Sequence, residues 1–243
     1  MKRLLLFTIL FFSFSLYGQE TIKTKDKRFF IGVIFSPDYS YRNLTKKGNS
    51  LSDNQWNEIK NYMDSIEISK FGYTSGINFL YQFNTRWSAE TGIQYSNKGY
   101  QISSILTSSI EYPEDRNLAN ILYSYNYIDI PFKANYSFIN KRINLFVSIG
   151  AILNININST IKYIPDIPTP QFKTHTKDNN YPYNKINISP TIGFGLNYKI
   201  NDRMKLSIEP AFRYGILNID NSSYSTMHLW STGLNFGYYV GLW

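Results

Sequence analysis

Two histidines, and the hydroxyl side chains beside one of them, are the candidates for catalysis in this sequence of 243 residues. His228 follows Ser225 and Thr226 closely, and a histidine that activates a hydroxyl group is the basis of nucleophilic hydrolysis and acyl transfer. His175 lies in a polar stretch ahead of Asp178, where loop residues are a simpler interpretation than a calcium site. The chain has neither a nucleophile elbow nor a zinc-binding HExxH motif. We therefore predict no catalytic residue, no metal site and no cofactor.

Along much of the chain, apolar and polar residues alternate with a period of two, which indicates β-strands with two different faces. Residues 185–200, KINISPTIGFGLNYKI, place apolar residues or proline at every even position and glycine, polar residues or lysine at every odd one. Seven other segments follow the same rule. Eight strands are therefore predicted, at about 29–41, 71–83, 86–100, 122–138, 143–157, 185–200, 204–216 and 230–242.

The connections between these strands alternate in length. Tight turns with Asn followed by Arg lie at residues 83–86, 139–142 and 200–203. Long polar connections lie at about 42–70, 101–121, 158–184 and 218–225. Short turns at one end and long loops at the other are typical of outer-membrane barrels, and an even number of strands closes such a ring without an exposed edge. We predict an all-β fold, an eight-stranded antiparallel up-and-down transmembrane β-barrel with short periplasmic turns and long extracellular loops.

The N-terminus predicts export. Lys2 and Arg3 precede an apolar run at residues 4–16, and Gly18 offers a small residue for cleavage. The run is too short to span a bilayer, so we interpret residues 1–18 as a signal peptide, 19–28 as a short periplasmic segment and 29–243 as the barrel domain. The chain contains no cysteine, so disulfides do not hold the fold together.

A soluble secreted barrel or sandwich is the alternative, because alternation alone does not say which face is outside. The predicted strands are longer than the 9–11 residues that a membrane strand needs, the polar face is rich in small residues, and aromatic residues lie near both strand ends. These features favour the membrane, and they predict location in the outer membrane of a Gram-negative bacterium. Without Lys2 and Arg3, the net charge is +6 (23 basic and 17 acidic residues), which could attract anionic lipid or lipopolysaccharide, or be ordinary solvated surface.

Charged residues within the strands share the polar face. In YNYIDIPFKANYSF, residues 125–138, Asp129, Pro131 and Lys133 occupy successive positions of that face. Charges inside a narrow barrel must be paired or hydrated, so we predict one internal ion-pair network. Proline removes a donor from the ladder, so we also predict a bulge or a locally broken ladder at Pro131. The predicted network consists of Glu90, Asp129, Lys133, Glu209 and Arg213.

The first long connection contains a helix signal. Ser52 and Gln55 form a capping-box pattern. The residues that follow at helical spacing are Trp56, Ile59, Met63 and Ile66. The sequence predicts a short helix over the barrel rim, or alternatively a helix that binds a partner protein.

With the strands placed, the sequence resembles the PorT-like (porin-like) outer-membrane β-barrel domain family of Bacteroidota-type bacteria. The resemblance rests on the leader, on the strand GVIFSPDYSYR at residues 32–42, and on the motif formed by Tyr127, Ile128, Asp129, Ile130 and Pro131. It implies an eight-stranded outer-membrane barrel with no defined reaction. Trp243 matches the terminal aromatic residue that the barrel-assembly machinery recognises, although its odd number places it away from the apolar face of the last strand.

Three functions stay open on this basis. The first is a structural or interaction protein with a side-chain-filled lumen, which contacts outer-membrane lipid and lipopolysaccharide and binds an envelope protein through its long loops. The second is a narrow channel for ions or small solutes. The third, which we rank last, is a lipid-modifying enzyme at the rim. No nucleic-acid partner is expected.

Overall fold

A computed structural model describes residues 28–48, 51–108, 116–139, 141–168, 173–178, 183–219 and 225–242. The predicted signal peptide and Trp243 lie outside the described residues. Within the described part, the chain forms nine strands and one helix, in the order β1 Phe29–Lys46, α1 Asp53–Ile66, β2 Glu67–Gln82, β3 Trp87–Ser108, β4 Arg116–Ser137, β5 Ile143–Pro165, β6 His175–Asp178, β7 Ile186–Lys199, β8 Met204–Tyr214 and β9 Ser225–Gly241.

Eight of these strands close into a ring. β1 pairs with β2 on one side and with β9 on the other, and every neighbouring pair around the ring is antiparallel. The predicted eight-stranded up-and-down barrel is therefore confirmed. The short strand β6 was not predicted; it pairs with β5 above the ring, within the third long connection.

The side-chain pattern shows which face is outside. On β1, Val33 and Phe35 are 58% and 52% exposed, whereas Ser36 and Asp38, which follow at even positions of the same strand, are 0% and 1% exposed. A soluble barrel would have the opposite arrangement, because its apolar face would fill the interior. The apolar face is the lipid-facing wall, as predicted. It also carries Ile77, Ile93, Phe132, Ile149, Ile192, Phe194 and Phe236.

Aromatic side chains form a belt at each end of this wall. Near the short turns, Tyr81 contacts Phe83 and Trp87 contacts Tyr136, with ring centroids 5.1 and 4.9 Å apart. Eight residues along β3 separate Trp87 from Tyr95 in the outer belt. That is about 27 Å along a strand and about 21 Å at a tilt of about 40°, close to the apolar thickness of an outer membrane. The outer belt contains Tyr39, Phe71, Tyr73, Tyr95, Phe212 and Trp230.

Three strands continue well beyond the outer belt. β3 and β4 have 22 residues each and β5 has 23, so much of the sequence predicted as long loops is paired strand. Alternation ends at the membrane surface because neither face meets lipid there, whereas the backbone groups still need hydrogen-bond partners. We call residues 101–108, 116–122, 158–165 and 175–178 the protruding wall.

The ladder at Pro131 is interrupted on one side. Towards β5, pairing runs without a break from Tyr127 to Ser137. Towards β3, the ladder stops at the pair Thr91–Phe132 and resumes at Gln94–Asp129 in the same register. The predicted local break is therefore present on the β3 side. It needs no bulge at the proline, because a strand residue directs its N–H group to one neighbour and proline removes only that donor.

Other strand prolines behave in the same way. Pro37 pairs with Tyr73 of β2, whereas the ladder towards β9 skips it. Pro210 pairs with Leu234 of β9, and the ladder towards β7 skips it. At each of these prolines, the ladder to one neighbouring strand is interrupted, and the register is the same on both sides of the interruption.

Candidate functional site

The lumen of the barrel is the site that the sequence predicted, and its centre is an ion-paired lysine. The Nζ atom of Lys133 lies 3.0 Å from Oε1 of Glu90 and 3.0 Å from Oε2 of Glu209. Glu90 is directly opposite Lys133 on the neighbouring strand β3, whereas Glu209 comes from β8 across the lumen. The three side chains are 5–8% exposed. Each charge therefore depends on the others, because burial has removed most of its water.

Arg213 continues this arrangement through an amide. Its Nη2 group donates to Oδ1 of Asn235 at 2.6 Å, and Nδ2 of Asn235 donates to Oε2 of Glu209 at 3.0 Å. The Nη1 group of Arg213 pairs with Oδ1 of Asp38 at 2.9 Å. The sequence prediction missed Asp38, although its even position on β1 follows the same alternation. We call the resulting series of contacts the lumen ion chain: Asp38, Arg213, Asn235, Glu209, Lys133 and Glu90.

Asp129 lies outside this chain, so the predicted single network of five charges is wrong in that respect. Its Oδ2 atom pairs with Nζ of Lys98 at 2.9 Å, and its Oδ1 atom accepts from Asn154 at 2.6 Å. Asp129 is four residues further out along β4 than Lys133, a distance of about 13 Å. That separation gives it a different partner. Lys98 was also missed, although its even position on β3 points inward.

Neutral side chains satisfy much of the remaining hydrogen-bonding capacity of Glu90. Asn78 Nδ2 donates to Glu90 Oε1 at 2.6 Å, and Asn135 Nδ2 donates to Oε2 at 3.3 Å. Gln94 Nε2 in turn donates to Oδ1 of Asn78 at 2.8 Å. These donors hold the carboxylate of Glu90 in a fixed orientation.

Two inward-facing glycines provide space for the carboxylates. A Cβ atom at Gly193 would lie 2.5 Å from Oε1 of Glu209, and one at Gly233 would lie 1.8 Å from Oδ1 of Asp38. Both approaches are far shorter than carbon and oxygen tolerate. The glycines of the polar face therefore leave space in which charged side chains from neighbouring strands fill the lumen.

An apolar cluster closes the outer end of the lumen. Tyr125 is 1% exposed at its centre, and Tyr127 of the family motif lies beside it at 3%. The cluster combines inward residues of β1, β3, β4 and β9 with one residue of the helix and one of the β8–β9 connection. We call it the outer cap; its members are Leu44, Trp56, Tyr100, Tyr125, Tyr127, Ile219, Met227 and Leu229.

Helix α1 lies over the rim and belongs to this cap. The predicted capping box is present, with Ser52 as N-cap and Gln55 bonding back to its backbone. Trp56 is the buried residue of the helix, and Met63 packs against the same cluster. The predicted rim helix is therefore confirmed, because its apolar face packs against the barrel, whereas partner binding by this helix stays a prediction. Within the described residues, no helix is long and apolar enough to cross a membrane.

Ion pairs hold the end of the helix against β1. The Nη1 group of Arg42 pairs with Asp64 at 2.8 Å, and Arg42 Nε contacts the carboxylate of Glu67. Burial raises the pKa of Glu67, and the hydrogen bond from Arg42 opposes that shift. Partial burial also raises the pKa of Asp64, but the hydrogen bond from Lys60 and the charge of Arg42 outweigh it and leave that pKa below its usual value.

A second apolar cluster, the inner cap, lies towards the periplasmic end. It consists of Phe30, Ile34, Leu80 and Tyr239. Between the two caps, the cavities beside the lumen ion chain measure about 20 and 10 Å³. Each is about large enough for one water molecule. Side chains fill the lumen along most of its length.

Of the catalytic candidates, His228 and Ser225 do not converge. His228 lies on the outward face, where its ring stacks on Tyr214 and its Nδ1 atom is 3.1 Å from the carbonyl oxygen of Gly215. Ser225 points inward and is 7% exposed, so the two residues occupy opposite faces of β9. His175 stacks on Tyr163 in the protruding wall. Within the described residues, no group of three or more His, Asp or Glu side chains could hold a metal ion.

A closed antiparallel ring with a lipid-facing apolar wall and a charged lumen defines an outer-membrane β-barrel. A family comparison agrees: the model described as "Outer membrane protein beta-barrel domain" matches residues 39–221. The chain belongs to this family, and its location is the outer membrane of a Gram-negative bacterium. No curated protein sequence matches the chain.

Several solved structures resemble this chain at low sequence identity. The protease OmpT from Escherichia coli is 11% identical, with 92% of this chain and 99% of that chain covered and a TM-score of 0.43. OprG from Pseudomonas aeruginosa is 9% identical, with 91% and 100% covered and a TM-score of 0.42. Neisserial surface protein A is 14% identical, with 88% and 97% covered and a TM-score of 0.41.

Proposed function

We propose that this protein is a closed outer-membrane barrel with a structural or interaction role, and that it does not conduct solutes. The observation that carries the proposal is the content of the lumen: an ion-paired centre between two apolar caps, with cavities of only about 20 and 10 Å³. A solute path would have to separate buried ion pairs such as Lys133–Glu90 and Arg213–Asp38, whose charges have lost most of their water.

The protruding wall is the surface that we assign to interaction. It carries exposed apolar side chains above the membrane, including Leu106 at 59% and Leu118 at 44% exposure. Beyond the pair Glu67–Ile102, β2 no longer accompanies β3, so the upper part of β3 pairs with β4 as its strand neighbour. An upright sheet with an open edge suits recognition by strand addition, which supports an envelope protein as the partner.

The finer family assignment is also a proposal. The PorT-like branch is supported by the run from Tyr127 to Pro131, because Tyr127, Asp129 and Pro131 all face the filled lumen and are at most 3% exposed. The apolar wall supports contact with outer-membrane lipid and lipopolysaccharide. We keep Trp243 as the residue that the barrel-assembly machinery reads, residues 1–18 as the signal peptide, and 29–243 as the barrel domain.

Liposome swelling tests the closed lumen against small solutes. Proteoliposomes that contain the refolded barrel should swell in arabinose or glycine no faster than protein-free liposomes, whereas a general porin in parallel vesicles should accelerate swelling strongly. Swelling that increases in proportion to the amount of this protein would contradict the closed lumen and favour the narrow channel.

A further inference from the structure

A polar vestibule opens at the periplasmic end of the barrel, on the far side of the inner cap. Its volume is about 80 Å³, several times that of the lumen cavities and enough for several water molecules or a small oxyanion. The walls come from the turns β2–β3 and β7–β8 and from the ends of β4, β5, β7 and β8. It is therefore bounded by residues from opposite sides of the ring, and it is separate from the lumen ion chain.

Three cations line this vestibule. They are Arg86, Lys199 and Lys205, and Asp202 is the one carboxylate among the lining residues. Lys199 and Lys205 are direct cross-strand partners on β7 and β8, and both face inward. Like charges in that position repel each other and destabilise a sheet. A bound anion would remove the repulsion.

The surroundings of Lys205 strengthen this inference. Its ammonium group lies over the ring of Phe30 at 4.4 Å and over that of Tyr239 at 5.1 Å. Within the described residues, no carboxylate lies within ion-pair distance of Lys205. The inner cap thus forms an apolar floor that presents this cation to the vestibule.

Amide side chains complete the lining. Asn144 is buried, and its Oδ1 atom has no hydrogen-bond partner. Because the two ends of an amide group have nearly the same shape, a half-turn of this side chain presents its NH₂ group instead. Asn84, Asn197 and Asn201 add further amide groups to the lining. Oxyanion-binding sites usually combine cationic side chains with neutral hydrogen-bond donors.

We propose that the periplasmic vestibule binds a phosphate-class oxyanion between Arg86, Lys199 and Lys205. Phosphate is favoured because an arginine guanidinium matches two of its oxygens at once, while the lysine ammonium groups neutralise its charge. Two sources have this chemistry. One is free phosphate in the periplasm, and the other is the phosphate of a lipid headgroup in the inner leaflet. The proposal is independent of the closed lumen.

Calorimetric titration with sodium phosphate tests the site. The full barrel, refolded in an alkyl-glycoside detergent without phospholipid, should bind phosphate saturably at constant ionic strength, and its melting temperature should rise in phosphate relative to chloride. The double variant Arg86→Gln/Lys199→Gln should bind at least about tenfold more weakly.

Lys141→Gln is the matched control, because Lys141 lies in the exposed β4–β5 turn and does not line the vestibule. It should leave phosphate binding unchanged. A second arm repeats the measurement with phosphatidylglycerol in the micelles and follows ³¹P resonances. If only the lipid perturbs the resonances in a Lys199-dependent way, the headgroup is the source. Absence of both responses, or equal loss in the Lys141 variant, would overturn the proposal.

Discussion

Replacing Lys133 with methionine should lower the free energy of unfolding by about 3–5 kcal/mol, because the change leaves buried carboxylates without their cation. Lys133 lies 3.0 Å from both Glu90 and Glu209, and methionine keeps much of its volume while removing the charge. Urea titration of the refolded barrel in detergent, followed by tryptophan fluorescence, measures the effect. Glu209→Gln should cost less, since Lys133 then keeps Glu90 as its partner.

Lys162→Met is the control for this experiment. Lys162 is an exposed residue of the protruding wall, and a surface charge contributes little to stability. We expect a change of less than about 0.5 kcal/mol there. Equal stability of the Lys133 and Lys162 variants would contradict the lumen ion chain as a structural element.

Trp56→Ala should detach helix α1 from the rim. Removing a buried indole costs about 3–5 kcal/mol, and a helix of 14 residues is only marginally stable when it loses its packing. Amide hydrogen exchange in α1 should therefore accelerate by about 100-fold or more, whereas amides of the membrane-spanning strands should keep their protection.

Tyr62→Ala separates packing from helix propensity. Tyr62 belongs to the same helix but is 65% exposed, so its removal takes no apolar contact from the cap. Exchange in α1 should stay within a few fold of that in the unmodified protein. If both variants accelerated exchange equally, the helix would be held by something other than Trp56.

The membrane-spanning part of this fold could be predicted from alternation alone. Residues that face lipid are apolar and residues that face the lumen are polar, and the two kinds alternate along a strand. The residue types of Phe132 and Lys133 alone therefore predict that Phe132 faces the lipid and Lys133 the lumen. The same alternation places Asp38 and Lys98 inside, but it does not say which inward charges form pairs. The pairing was harder to predict, because Glu209 meets Lys133 only through the closure and stagger of the whole ring.

The region above the membrane resisted prediction for a physical reason. There the strands of the protruding wall have water or the rim on both faces, so no alternation marks residues 101–108 or 158–165 as strand. The helix was predictable because its signals, the Ser52–Gln55 capping box and the spacing of Trp56 and Met63, are local. Its docking onto the outer cap depended on Tyr125 and Met227, which are distant in sequence.

Ion conductance across a planar bilayer tests the closed lumen most directly. Single refolded barrels inserted in 1 M KCl, a salt concentration that screens surface charge to about 3 Å, should give no steady open current at moderate voltage. An outer-membrane porin in the same apparatus provides the positive control. A stable, voltage-independent open state in the unmodified protein would contradict the account, because it would require a continuous water path through both caps and past Lys133.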